Sequence, residues 1–300
     1  MEQADKLKIL FVINPVSGGT DKRDLQSAID TYFRSLPHDV NHLLLTGQGD
    51  EQHIRQAILR YAPDRVVAVG GDGTVKLVAE QLLRTNRPLG ILPAGSANGM
   101  ARELGLPDRP DHALDVIVRG LPVAIDVIQL NGRDLCLHLS DIGMNAQLVH
   151  YYHENNWRGK LGYLRGVARV LLRRRLMKIE LEAADRIVNR SAFMVVIANA
   201  RMYGTGAVIN PDGDLTDGFF EVVIIRQFSW WEILKMFWRF RPFDSRKTEI
   251  IRASAVRIST RKRVYFQVDG EYRGRVNHVE ARLLRGKLTV LTPPNSPSPP

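Results

Sequence analysis

Residues 66–80 read VVAVGGDGTVKLVAE: an apolar run of strand character leads into three glycines within four positions, and an acid, Asp72, stands among them. Gly70, Gly71 and Gly73 let a backbone come close to a phosphate. With Thr74 and the positive end of a following helix they offer N–H donors to an anion without needing a lysine. A carboxylate there is repelled by a polyphosphate unless a divalent cation lies between them, or unless it accepts the proton of an attacking hydroxyl. Both roles belong to phosphoryl transfer. Asp72 and Thr74 are also good helix N-caps, and capping is compatible with either role. Neither G-x-x-x-x-G-K-[ST] nor G-x-G-x-x-G occurs, which excludes a P-loop and a standard dinucleotide fold.

Related clusters recur. NPVSGG (14–19) follows a first apolar run, Thr46-Gly47 a second, GGDGT a third and PAGSANG (93–99) a fourth. A lone Gly-Gly pair is most simply a tight turn. Clusters after four successive strands point instead to one ligand edge, because open parallel sheets bind ligands at the carboxyl ends of their strands. Two acidic groups lie further on. FQVDGEYRG puts Asp269 and Glu271 on a turn after an alternating strand, where D-G-E is by itself an ordinary hairpin sequence. NPDGDLTDGFFEV holds Asp212, Asp214 and Asp217 but lacks the spacing and terminal glutamate of an EF-hand. A small oxygen-ligated Mg2+ or Ca2+ site and a solvated acidic loop both stay open. The eight histidines show no metal-ligand spacing.

The elements that must carry these groups alternate. KILFVI, VNHLLLT, RVVAVG and LGILPAG read as strands, and DLQSAIDTYFRSL, EQHIRQAILRYA and VKLVAEQLLR as the helices between them. Continuous apolar strands in that grammar predict an α/β domain with a parallel sheet covered on both faces. After about Asp126 the pattern changes. VAIDVIQLNGRDLCLHLS predicts two strands around Asn131-Gly132, a strong hairpin signal. MKIELEAA, SAFMVVIANA, GFFEVVII, SAVRIST, RVYFQV, VEARLL and KLTVLT predict more strands, interrupted by two helical segments, so the second domain is expected to be larger and mainly antiparallel. The expected boundaries are 1–124 for the α/β nucleotide-binding domain, 125–292 for the β-rich domain and 293–300 for a tail, PPNSPSPP, with little to bury; the last strand is free to return to the first domain.

Composition narrows the setting. With 300 residues, 44% hydrophobic and 25% charged, the chain can build two cores. A formal net charge of +10 implies attraction to polyanions: nucleic acid, an anionic membrane surface or phosphorylated small molecules. One cysteine, Cys136, rules out an intrachain disulfide and suits a reducing cytoplasm. The N-terminal apolar run is too short for a signal peptide or a membrane span, so a cytoplasmic protein is expected.

Taken together, NPVSGG, GGDGTVK (70–76), LPAGSANGMARELGLP (92–107), KLGYLRG (160–166), YGTGAVINPDGDLTDGFFEV (203–222) and VDGE (268–271) resemble the bacterial soluble diacylglycerol kinase family, which also includes sphingosine and ceramide kinases. The resemblance runs in the same order over essentially the whole chain. It implies an ATP site in a cleft between the two domains and a membrane lipid, most simply diacylglycerol, as acceptor. Gly70, Gly71, Asp72, Gly73, Thr74, Val75 and Lys76 would line the nucleotide phosphates, with Asn14, Thr46, Ser96 and Asn98 nearby and Asp126 supporting nucleotide binding. Glu271 would be the general base on the lipid hydroxyl, helped by Asp72 through Mg2+ and water. Asp217, with the backbone carbonyls of Asp214 and Phe219, would hold a structural Mg2+. Two positions depart from the family: Gly99 stands where G-T-x-N-D carries an acid, and Asn145 where an acid is common.

A lipid kinase must touch a membrane. WRGKLGYLRGVARVLLRRRLMK carries Arg165, Arg169 and Arg173 at i, i+4, i+8 among leucines and reads as a basic amphipathic helix for an anionic surface, giving peripheral association. SWWEILKMFWRFRPF reads equally as a membrane face or as a core helix. A homodimer is left open. Rival readings are an NAD-kinase-like enzyme with a soluble substrate, though no Asn-Glu pair of the expected kind follows GGDGT, and a non-catalytic nucleotide or membrane binder. Nucleic acid is set aside because no RRM, KH or helix-turn-helix signature appears.

Overall fold

A computed structural model describes residues 6–16, 22–154, 176–183, 186–203, 208–227 and 247–294. The arginine-rich segment 157–175 and the tryptophan-rich segment 229–243 lie outside the described residues, as does the end of the tail. The chain forms two compact units: residues up to Ile125 together with the chain from Gly286 onward, and Asp126–Arg285.

The first unit runs β1 (Lys8–Ile13), α1 (Lys22–Phe33), β2 (Asp39–Leu44), α2 (Asp50–Tyr61), β3 (Arg65–Gly70), α3 (Asp72–Leu82), β4 (Leu89–Pro93), α4 (Gly99–Glu103), α5 (Pro110–Arg119) and the start of β5 (Leu121–Leu130). Strands pair in parallel in the order β2-β1-β3-β4. Ile9, Leu10, Phe11, Val12 and Ile13 are all fully buried, which requires cover on both faces of the sheet. Ile9, Phe11 and Ile13 pack with Leu25, Ile29 and Phe33 of α1 and Ala113, Leu114 and Ile117 of α5. By the two-residue period of a strand, Leu10 and Val12 face the other way, and the buried Ile54, Ile58, Val78 and Leu82 of α2 and α3 supply the second layer.

The second unit continues with β6 (Asp134–Cys136), β7 (Leu139–Gly143), α6 (Met144–Glu154), β8 (Met177–Ala183), β9 (Arg186–Ala192), β10 (Met194–Ala198), β11 (Phe220–Ile225), β12 (Thr248–Ala253), β13 (Ala255–Val268) and β14 (Glu271–Thr292). Its pairs are antiparallel in the order β12-β11-β10-β7-β13-β14, with β8-β9 added beside β13. Both faces are again covered: Val195, Ile197, Val222 and Ile224 join one cluster with Phe220 and Phe266, while Met194, Val196, Val223 and Ile225 join another with Ile209. β14 pairs with β13 through Arg282, and beyond Gly286 its Val290 pairs in parallel with Leu89 of β4.

Several elements differ from the sequence expectation for physical reasons. SAVRIST and RVYFQV form one strand, β13, because the Arg-Lys-Arg run at 261–263 is absorbed as a register shift between Ser259 and Val264 rather than ending the strand. β9 was not expected, since only Val188 and Ala192 of its seven residues are buried. The strand after Asn131-Gly132 splits into β6 and β7, because the carboxylate of Asp269 takes the N–H groups of Leu137, His138 and Leu139 (3.1, 3.0 and 3.2 Å) away from any ladder. The hairpin itself forms: β5 pairs with β6 from Leu130 and Asp134, Arg133 N–H closes the turn on Leu130 O at 3.1 Å, and Asn131 and Gly132 at its centre lie at the left-handed φ of 50° and 71°, with Arg133 as one residue more than the expected two-residue loop. Nothing lies within 4 Å of a Cβ placed on Gly132. Gly132→Ala is therefore expected to lose only the left-handed backbone preference, about 1–2 kcal/mol, read as a lower urea midpoint at unchanged slope; an unchanged midpoint would contradict the turn.

Candidate active site

In the first unit the parallel strands bring their carboxyl ends to one edge. Asn14 follows β1, Thr46 and Gly47 follow β2, Gly71 to Gly73 follow β3, and Gly95 to Asn98 follow β4. A cavity of about 270 Å3 opens there, lined by Asn14, Gly47, Asp50, Gly73, Thr74 and Leu77 among others. Asn14 Nδ2 donates to Thr74 Oγ1 at 3.1 Å, which ties the first strand end to the first turn of α3.

The glycines divide by cause. A Cβ on Gly70 would fall on the Thr74 side chain, so Gly70 makes room for that side chain within its own turn, whereas a Cβ on Gly95 would fall on the Cα of Gly71, so Gly95 lets two loops touch backbone to backbone. Around Gly73 nothing lies within 4 Å of a Cβ, and the residue is exposed. Gly73 thus leaves open backbone at the N-terminal turn of α3, whose first N–H groups have no helical acceptor. Thr74, Val75 and Lys76 are buried. Asn98 adopts the left-handed region and holds Gly95 through Gly95 N–H to Oδ1 (2.8 Å) and Nδ2 to Gly95 O (3.0 Å). Ser96 is exposed beside it.

Asp72 has a definite task. Its two carboxylate oxygens accept the N–H groups of Gly99 and Met100, both at 3.0 Å, and so bind the start of α4. The cap is on a helix 27 positions away, not on α3, whose own N-cap is Gly71 without a side-chain bond. Each oxygen retains a further lone pair for a cation or a hydroxyl. Asp50, which the sequence reading passed over, shapes the cavity wall: it accepts Thr46 N–H (2.9 Å), Thr46 Oγ1 (3.2 Å) and Gly47 N–H (2.8 Å). Burial would raise its pKa, but these donors and nearby His53 hold it below the ordinary carboxylate value. The available signal was its spacing, four residues after Thr46 at the start of a helix.

In the second unit the acids also divide. Asp269 and Gly270 form the two-residue turn between β13 and β14 at φ 49° and 83°. The carboxylate of Asp269 is committed to the backbone of 137–139, with Cys136 Sγ at 3.4 Å. Glu271, the next acid, is half-exposed and paired with Arg273 at 2.6 Å. Asp126 is buried, and its Oδ2 accepts Gly218 N–H at 2.7 Å, while its own N–H donates to Leu215 O. It therefore anchors the loop that carries Asp214, Asp217 and Phe219. Asp214 accepts from Thr216 N–H and Oγ1, both at 2.8 Å. Asp217 accepts Phe219 N–H at 2.8 Å and pairs with the Arg252 guanidinium, which also lies over the Phe219 ring at 4.2 Å. Among the described residues no group of three or more His, Cys, Asp or Glu side chains could hold a metal ion. At Asp217 one carboxylate oxygen takes the Phe219 N–H and the other the Arg252 guanidinium, so a cation held with the carbonyls of Asp214 and Phe219 would compete with that arginine.

Comparison with known proteins agrees with this architecture. Residues 8–130 match the family model described as the diacylglycerol kinase catalytic domain, and residues 140–292 match the YegS C-terminal NAD kinase beta sandwich-like domain. The chain belongs to the family of diacylglycerol kinases and YegS-type lipid kinases. It is 27% identical over 276 residues to the diacylglycerol kinase of Bacillus subtilis (strain 168), covering 88% of this chain and 89% of that protein. It is 27% identical over 298 residues to "Probable lipid kinase YegS" of Salmonella arizonae, covering 96% and 97%. A diacylglycerol kinase crystal structure from Bacillus anthracis str. Sterne superposes with TM-score 0.72 at 20% identity, over 96% of this chain and 97% of that one, which establishes the shared fold. No helix among the described residues is long and apolar enough to cross a membrane.

The two kinds of glycine separate in experiment. Gly95→Ala forces Gly71 and Gly95 apart and is expected to cost about 1–3 kcal/mol, seen as a fall in melting temperature. Gly73→Ala enters open space and leaves the melting temperature within about 2 °C of wild type. Equal melting temperatures for both variants would remove the distinction.

Proposed function

We propose that this protein transfers the γ-phosphoryl group of ATP to a hydroxyl of a membrane lipid, with diacylglycerol the acceptor favoured by the names of its relatives. The observation that carries the reading is the open backbone at Gly73, beside Asp72 and the Asn14–Thr74 pair, at the strand-end cavity of the parallel unit. That edge offers N–H donors and a helix N-terminus to the phosphates. The ionised Asp50 on one wall favours ribose hydroxyls or cation-bound phosphate over a bare anion. Mg2+ bound with the nucleotide would supply charge neutralisation at the transferring phosphate, and the remaining lone pairs of Asp72 are the ones that would face it.

Glu271 is the base in this reading. Asp269 holds the 137–139 backbone and Cys136 Sγ through four contacts, three of them on Oδ1, whereas Glu271 carries a single ion pair with Arg273, so Glu271 is taken as the acid of that turn that accepts the proton. The lipid oxygen attacks phosphorus, its O–H proton passes to Glu271, the bond from phosphorus to the bridging oxygen breaks, and ADP leaves. Alignment and charge neutralisation lower most of the barrier, so the acid does not require an extreme pKa. An amphiphilic acceptor also suits the second unit. A cavity of about 370 Å3 there is lined by Met144, Met177, Phe193 and Val264 together with basic residues that include Lys178 and Arg263, a mixture that fits an acyl chain next to an anionic headgroup.

One observation favours a second reading. Because both oxygens of Asp72 already hold α4, the carboxylate is explained without catalysis, as in a protein that binds nucleotide and makes no product. Incubation with γ-labelled ATP, Mg2+ and mixed-lipid micelles separates the readings. Label entering organic solvent supports lipid phosphorylation, label on a soluble acceptor supports an NAD-kinase-like reaction, and no transfer supports the binder. Glu271→Gln is expected to lower turnover at least roughly 100-fold, the usual scale of general-base help. Full turnover in that variant removes Glu271 from the mechanism.

The Asp217 loop gives a separate expectation. A divalent cation there must displace Arg252, so chelation should leave the wild-type melting temperature unchanged. In Arg252→Ala, added Mg2+ should raise it. A fall on chelation of the wild type would show that a cation outcompetes the guanidinium.

A further inference from the structure

One buried acid has no part in the chemistry above. Asp141 lies on β7, fully buried, directly across from Gln267 of β13. Its oxygens accept from Asn145 Nδ2 (2.6 Å), Ala146 N–H (2.8 Å), Tyr203 OH (3.3 Å) and Gln267 Nε2. Gln267, also buried, then accepts the N–H of Gly270 on its Oε1 at 2.7 Å, and its main-chain carbonyl accepts Ser140 Oγ at 2.6 Å. Gly270 is the turn residue immediately before Glu271.

The chemistry of the two ends fixes the middle. An ionised carboxylate only accepts and a backbone N–H only donates, so the Gln267 amide fits between them in one orientation, Nε2 toward Asp141 and Oε1 toward Gly270. We propose that Asp141 and Gln267 are positioning residues for Glu271: the buried carboxylate sets the polarity of the Gln267 amide, and the amide pins the turn that presents the base. This rests on Glu271 being the base.

The groups facing Asp141 are Asn145 and Ala146 from α6, Gln267 from β13 and Tyr203 beyond β10, with Tyr203 the titratable one and no cation among these contacts. Burial raises the Asp141 pKa to about 6, opposed by its hydrogen bonds to Asn145, Gln267, Ala146 and Tyr203. The folded state then holds a proton that the unfolded chain has released between the ordinary aspartate value and about 6, so stability falls as pH rises through that window. Above it the acceptor-only form is present. Below it the proton removes an acceptor, and the Gln267 amide loses its fixed orientation.

The test follows the Gly270 amide in the full-length protein by 15N NMR and hydrogen exchange, together with lipid-kinase kinetics. In Asp141→Asn a carboxamide replaces an all-acceptor group, so the Gly270 signal should move, its amide should exchange faster, and kcat should fall roughly 10- to 100-fold with KM for ATP unchanged, the scale of a small misplacement. Gln267→Met should do the same. In wild type, which needs no variant to fold, the Gly270 signal should titrate with a midpoint near pH 6. A Gly270 amide that is insensitive to pH in wild type and unmoved in the folded variants overturns the relay. If Gly270 responds as expected while Glu271→Gln keeps full turnover, the relay stands as a structural device and the base assignment is what failed.

Discussion

Carboxylates that capture backbone N–H groups hold this fold together where the chain leaves regular structure. Asp72 binds the start of α4, Asp269 the break between β6 and β7, Asp126 the turn at Gly218, Asp141 the start of α6, and Asp50 the loop after β2. An N–H without an acceptor in the interior costs more than a hydrogen bond returns, so each irregular segment needs such a partner. An ionised acid is a strong one.

This constraint changes how acids next to glycines are read. Sequence places Asp72 among phosphate-binding glycines and Asp269 beside Glu271, and chemistry alone suggests that each could act on a substrate. In the fold, Asp269 holds three backbone N–H groups while Glu271 carries one ion pair with Arg273, which separates two acids that the sequence could not rank. Asp72 is an intermediate case, since two N–H donors leave lone pairs on both oxygens. Structural and chemical roles for one carboxylate are compatible when the fixed helix is part of the site, and α4 begins at Gly99, within the loop that carries Ser96 and Asn98. The glycine at position 99 is consistent with that use, because the group Asp72 requires there is a backbone N–H.

What was legible in the sequence followed from periodicity and turn chemistry. Continuous apolar strands such as Ile9–Ile13 need cover on both faces, which alternating helices supply, and Asn131-Gly132 favours a tight turn with left-handed backbone. What was hidden depended on distant partners. Nothing around Asp141 announces that it faces Gln267, which lies 126 positions later, and nothing around Asp217 announces Arg252. Local pattern also failed where burial is sparse, as in β9, and where a charged run passes through a strand, as at Arg261–Arg263 of β13.

The Asp217 loop shows why donor type alone does not assign a metal. Asp214, Asp217 and Phe219 carry oxygen atoms in a short loop, which reads as a hard-cation site. A guanidinium satisfies the same negative charge with directed N–H bonds, and Arg252 adds a face-on contact with Phe219 that a bare ion cannot make. Asp214 meanwhile turns its carboxylate onto Thr216 within its own loop. The loop is also tied from below by Asp126 through Gly218, so its shape has covalent-chain and hydrogen-bond support that is independent of any ion. A cation must therefore do better than an arginine already anchored by charge, hydrogen bonding and ring contact, at a loop that gains little further order from it.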